Sequence, residues 1–86
     1  MFIILTYDVK QTRVCKVMKI CRKYLRHIQK SVFEGTLTDS KLNKMKSEIE
    51  RKIDLSSDSV LIYEFESLKF TNREQIGKAH LYTNII

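Results

Sequence analysis

Residues 2–7 read Phe-Ile-Ile-Leu-Thr-Tyr, an unbroken apolar and β-branched run that Asp8 brings to an end. A run without polar alternation marks a strand covered on both faces, or on one face by its own helices and on the other by a second subunit. Residues 10–26 (KQTRVCKVMKICRKYLR) then change to helical spacing. Val14, Val17, Met18, Cys21, Tyr24 and Leu25 recur at i, i+3, i+4, i+7, i+10 and i+11, which is one apolar stripe. Lys16, Lys19, Lys23 and Arg26 fall on the opposite side.

Working outward, residues 28–37 (IQKSVFEGTL) carry β-formers and a turn-prone Glu34-Gly35. They admit one bent strand or two short ones. Thr38-Asp39-Ser40 supplies N-cap residues for a second helix, whose buried face is spaced by Leu42, Met45, Ile49 and Ile53. Residues 54–59 are polar and turn-rich, and residues 60–65 (VLIYEF) form a strand. Residues 66–79 show no clear pattern beyond a turn near Gly77, and residues 80–86 suit a short extra C-terminal strand. The order is that of an α+β, ferredoxin-like βαββαβ domain, an antiparallel sheet with two helices on one face.

The 86 residues make a single domain, 1–86, without proline and with only two glycines, so no linker divides it. A chain this short buries only about 60–65% of its unfolded surface. The second sheet face also needs a cover, so a homodimer is expected. A composition 43% hydrophobic and 30% charged excludes a disordered chain.

Sixteen Lys and Arg against ten Asp and Glu give a net charge of +6, and the pI is near 9.5. A pI above about 9 is the footprint of phosphate-binding domains, although charge alone also suits a merely soluble basic protein. Position says more. Between residues 10 and 30 stand Lys10, Arg13, Lys16, Lys19, Arg22, Lys23, Arg26 and Lys30, with no acid among them. A solvated helix face usually mixes signs, so this stretch implies an anionic partner, the backbone of nucleic acid.

Cys15 and Cys21 lie six apart, which is no zinc-ligand spacing and no disulfide framework. Cys21 falls on the apolar stripe and reads as a buried, reduced thiol, which fits a reducing compartment. The apolar run at the N-terminus is too short for a signal peptide or a membrane span. A cytoplasmic protein without membrane contact is expected.

Asp8 carries the most chemistry. A carboxylate at a strand end is rigidly held and can bind a hard cation such as Mg²⁺, which bridges phosphate oxygens and activates water. Asp is also a preferred helix cap, and on residue type alone capping is the commoner role. One carboxylate is a poor metal site, but two copies of Asp8 across a dimer axis meet the need. Arg13, near Asp8, suits a phosphate clamp as well as a solvated surface charge. Tyr7 and Phe33 suit base stacking or, for Phe33 above all, core packing. Ser31 can bond a phosphate or satisfy local backbone. His27 and His80 have no partner at a catalytic spacing. No phosphate-cradling glycine motif and no RNP aromatic signature is present.

Several of these blocks together resemble the Cas-two family of small CRISPR-associated proteins, known as endoribonucleases. They are the strand ending in Tyr7-Asp8, Arg13-Val14, Ile28-Gln29-Lys30-Ser31-Val32-Phe33-Glu34-Gly35, Val60-Leu61-Ile62-Tyr63 and Ile76-Gly77. The resemblance spans essentially the whole chain. It implies a homodimer with sheets packed face to face and a C-terminal strand, residues 80–86, that crosses to the partner subunit. It further implies that two copies of Asp8 hold one Mg²⁺, with cleavage of single-stranded RNA or double-stranded DNA. Members also join the CRISPR integrase as a non-catalytic DNA-holding adaptor, a second expectation; a toxin-like ribonuclease is a third. Many members have a glycine between the first helix and second strand, where this chain has Arg26-His27.

Overall fold

The centre of the sheet is β1 (Phe2–Asp8), which pairs antiparallel with a neighbour on each side. The computed structural model describes residues 1–69 and 72–77. Along the chain follow α1 (Gln11–Tyr24), β2 (Arg26–Gln29), β3 (Val32–Thr36), α2 (Asp39–Glu50) and β4 (Ser59–Phe65). The sheet order is β2-β3-β1-β4 and every pairing is antiparallel. This is the ferredoxin-like βαββαβ domain expected from the element order. The extra C-terminal strand expected at residues 80–86, its exchange with a partner, and His80 lie outside the described residues.

Both helices pack on one sheet face. Ile3 and Leu5 of β1 and Phe33 of β3 are fully buried beneath Val17 and Cys21 of α1 and Met45 of α2. Burying a large apolar side chain contributes roughly 1.5–3 kcal/mol, so this layer is the main stabilising feature of a small domain. The buried line of α1 runs through Val17, Ile20 and Cys21, while Val14, Met18 and Tyr24 are only half-buried. The stripe is therefore turned toward Ile20 relative to the expected one.

Residues 28–37 resolve into two strands. The turn falls at Lys30-Ser31, where Lys30 has a φ of 26°, in a region that side chains disfavour. Glu34-Gly35, which reads as a turn in the sequence, instead lies inside β3. A Cβ at Gly35 would stand 3.2 Å from the Leu25 side chain, so the glycine serves close approach and not chain reversal. Arg26 also moves: α1 ends at Tyr24, Leu25 is extended, and Arg26 opens β2.

His27 is buried and lies flat on Phe33, with ring centroids 4.3 Å apart and planes 9° apart. Its Nε2 is 2.5 Å from the Lys30 carbonyl oxygen. Cys21 is buried as expected, and burial pushes its thiol up to about 12, whereas Cys15 is exposed. Among the described residues no helix is long and apolar enough to cross a membrane.

Phe33 touches both Tyr7 and His27 and is wholly buried. Phe33→Ala is expected to cost about 3–5 kcal/mol in urea unfolding, a loss that a solvent-facing stacking residue would not show.

Candidate functional site

Alternation along β1 decides where Asp8 points. Ile3, Leu5 and Tyr7 face the helices, so Phe2, Ile4, Thr6 and Asp8 face the other side of the sheet. Asp8 is exposed and stands opposite Ser59 in the ladder. It does not cap α1: the cap position is Lys10, with no side-chain capping bond. Among the described residues the Asp8 carboxylate has no hydrogen-bond or ion-pair partner.

The same face carries Leu61 and Tyr63 of β4, 51% and 49% exposed, opposite Thr6 and Ile4. Elsewhere on this face the chain after β4 supplies cover. Arg73 pairs with Glu34, and Leu68 and Asn72 border a pocket with Phe2 and Ile4. The apolar surface nearest Asp8 is thus the less covered part.

Arg13 is drawn into an ion pair within the fold. Its Nε and a terminal nitrogen donate to the two Asp58 carboxylate oxygens at 2.5 and 3.0 Å. The Lys10 and Asp54 backbone N–H groups donate to the same carboxylate, each at 2.9 Å. The Asp58 side chain is only 1% exposed. The Arg13 guanidinium, with these backbone donors, holds its carboxyl well below the usual carboxylate range despite the opposing effect of burial. Asp58 thereby ties the start of α1 to the loop before β4. The sequence places Asp58 in a polar turn and gives no local sign of this role, because its partner is 45 residues away.

A cavity of about 450 Å³ opens beside Asp8. Tyr7, Arg22, His27, Lys30 and Ser31 border it together with Val14 and Met18. Tyr7 is half-buried, and its ring stacks on Phe33 at 6.2 Å. Burial pushes the Tyr7 phenol up, and the Arg22 charge pulls it partly back. Ser31 accepts the Tyr7 N–H through its backbone carbonyl at 3.2 Å. So Tyr7, Asp8 and Ser31, distant in sequence, meet at one rim.

Lys16, Lys19 and Lys23 form a separate group. They border a groove of about 410 Å³ between the two helices, with Arg51 and Lys52 beyond the end of α2. Among the described residues Glu48 is the one acid there, and both Lys23 and the Tyr24 hydroxyl bind it. Arg26 does not join this group. It is exposed on β2, opposite Glu34.

Residues 1–73 match the family described as CRISPR associated protein Cas2, a span that takes in Asp8, the basic helix and the residue 28–35 block. The chain belongs to this family. A Thermotoga maritima relative named CRISPR-associated endoribonuclease Cas2 is 47% identical over 77 residues, covering 90% of this chain and 88% of that one. A solved structure described as the crystal structure of cas2 has a TM-score of 0.84 at 37% identity, covering 92% of this chain and 88% of that one. The crystal structure of Streptococcus pyogenes Cas2 at pH 6.5 gives 0.79 at 29% identity, covering 90% and 100%. No group of three His, Cys, Asp or Glu side chains is assembled for a metal among the described residues. Among the described residues one copy offers Asp8 alone at this end of the sheet, so a hard cation there needs a second carboxylate or a substrate phosphate.

The Asp58 tie sets an acid limit. Its folded pKa lies below the ordinary value of about 3.9, so its stabilisation is fully present above that range and fades as pH falls through the folded value. Asp58→Asn is expected to lower Tm at neutral pH. It should also flatten the fall in Tm below about pH 4, followed by circular dichroism at stepped pH.

Proposed function

We propose that this chain acts as a homodimeric, Mg²⁺-dependent endonuclease of CRISPR spacer acquisition, cutting phosphodiesters of single-stranded RNA or double-stranded DNA. The observation that carries this is the placing of Asp8: exposed, without a partner among the described residues, on the sheet face with half-exposed Leu61 and Tyr63. A second copy laid on that face covers the apolar side chains and brings two Asp8 carboxylates together. Two carboxylates plus phosphate oxygens are a donor set that suits Mg²⁺. Bound there, the cation supplies Lewis-acid polarisation of phosphate and acidifies water. The protein's own contribution is rigidity. Asp8 ends a central strand laddered to Ser59, and Asp58 with Arg13 holds the chain that follows. The relatives' name, endoribonuclease, supports RNA as one substrate.

A second role is supported by the lysine groove. It lies on the helix layer, away from the sheet face that carries Asp8. Binding to the phosphate backbone there needs no carboxylate, which fits an adaptor that holds DNA for the CRISPR integrase.

A metal titration of cleavage, run on RNA and duplex DNA side by side, tests the catalytic proposal. Asp8→Asn should fall to the metal-free background and lose Mg²⁺ affinity while remaining folded. Cleavage at the wild-type rate by Asp8→Asn would refute it.

Replacing Lys16, Lys19 and Lys23 with Gln is expected to weaken binding to all sequences alike. The plot of log K against log salt should flatten by about one unit for each phosphate that is no longer neutralised. Weakening confined to one sequence would contradict backbone recognition.

A further inference from the structure

The cavity beside Asp8 is bordered by a guanidinium that pairs with no acid among the described residues. Arg22 lies in the last turn of α1, and its Nε is buried without a hydrogen-bond partner among the described residues. No carboxylate among the described residues pairs with it. A cation near a helix C-terminus gains from the helix dipole, but that supplies no acceptor for a buried N–H. Removing such a donor from water without a partner costs stability. Arg13, the other arginine near Asp8, already has an acid in the fold, Asp58.

The surroundings of Arg22 say what kind of acceptor fits. Lys30 and Ser31 stand on the same rim, and Lys30 is held there by a left-handed backbone. Asp8 is the only acid among the described residues that border the cavity. Val14 and Met18, both half-buried, give the cavity an apolar wall, and Tyr7 adds an aromatic ring. A cationic rim, an apolar wall and about 450 Å³ together match a small ligand with one anionic end and one flat apolar body.

We infer that this cavity binds one nucleoside monophosphate unit of a polynucleotide, its phosphate on Arg22 and Lys30 and its base against Val14 and Met18. The inference rests on the proposal that phosphodiesters meet the protein at Asp8, and it adds the residue that positions them. Arg22 donates to the phosphate and thereby sets one nucleotide against the Asp8 end of the sheet. It is a binding residue for the chain beside the scissile bond and takes no proton.

Amide chemical shifts of the wild-type protein, titrated with UMP and separately with inorganic phosphate in the absence of divalent metal, test this. UMP should move Tyr7, Met18, Arg22 and Ser31 saturably and bind more tightly than phosphate. Arg22→Gln should weaken UMP by about tenfold or more, as expected for removal of a charge-assisted hydrogen bond. Lys41→Gln, at an exposed position of α2 that borders neither the cavity nor the lysine groove, should change it by less than about threefold. Arg22→Met, which keeps the apolar stem and removes the unpartnered nitrogens, should have a Tm equal to or above wild type. The idea is sunk by UMP shifts confined to the helix groove, by wild-type UMP binding in Arg22→Gln, or by phosphate binding as tightly as UMP. A clear drop in Tm for Arg22→Met would also sink it, since the guanidinium would then have its acceptor inside the protein. No step here involves cleavage. Loss of UMP binding in Arg22→Gln alongside Asp8-independent cleavage therefore overturns the nuclease proposal alone. Unchanged UMP binding alongside Asp8-dependent cleavage overturns the cavity alone.

Discussion

The two-residue period of β1 is the constraint on which the molecule depends. Ile3 and Leu5 must lie under the helices, because they complete the layer in which Phe33 packs against Val17, Cys21 and Met45. Once they do, Asp8 has no choice of face. A slip of one residue would bury Ile4 and Thr6 and turn Asp8 toward the helix layer. The register with β3, Leu5 opposite Phe33, and with β4, Leu5 opposite Ile62, holds the strand against such a slip from both sides. Core packing and site placement are therefore one specification, written in alternate residues of one strand.

Charge is then distributed around this frame in three different ways. Arg13 serves structure, neutralised by a carboxylate 1% exposed to solvent. Lys16, Lys19 and Lys23 line the outer groove of the helices, where Glu48 balances only part of their charge. Arg22 does neither. The net charge of +6 is thus an uninformative sum over cations with distinct neighbours. Only those that lack an internal acid contribute to a field that draws in polyanions.

Much of the fold was legible because its signals are local. The run at residues 2–7, the helical spacing after it and the Thr38 cap each depend on near neighbours, and Thr38 does accept the Lys41 N–H at 3.2 Å. What was not legible depends on residues that meet only in three dimensions. Glu34-Gly35 looks like a turn, yet the glycine exists to clear Leu25. Lys30 does not look like a turn residue, yet it takes the left-handed backbone. Arg26 continues the helical spacing in sequence, but Leu25 has already left the helix, since its side chain is needed in the core.

The candidate site divides along the same line. Asp8 stood out because it ends an apolar strand, a property of seven consecutive residues. Which arginine serves it could not be read, since Arg13 and Arg22 are equally basic and stand toward opposite ends of the same helix. The distinction lies in Asp58, which arrives from beyond α2 to claim Arg13, whereas no acid among the described residues pairs with Arg22. A structural arginine is satisfied within the fold. A binding arginine is kept unsatisfied at a cost in stability, because its acceptor belongs to the ligand. That difference in who supplies the acceptor separates the two side chains here, and it is a property of the folded neighbourhood rather than of the residue.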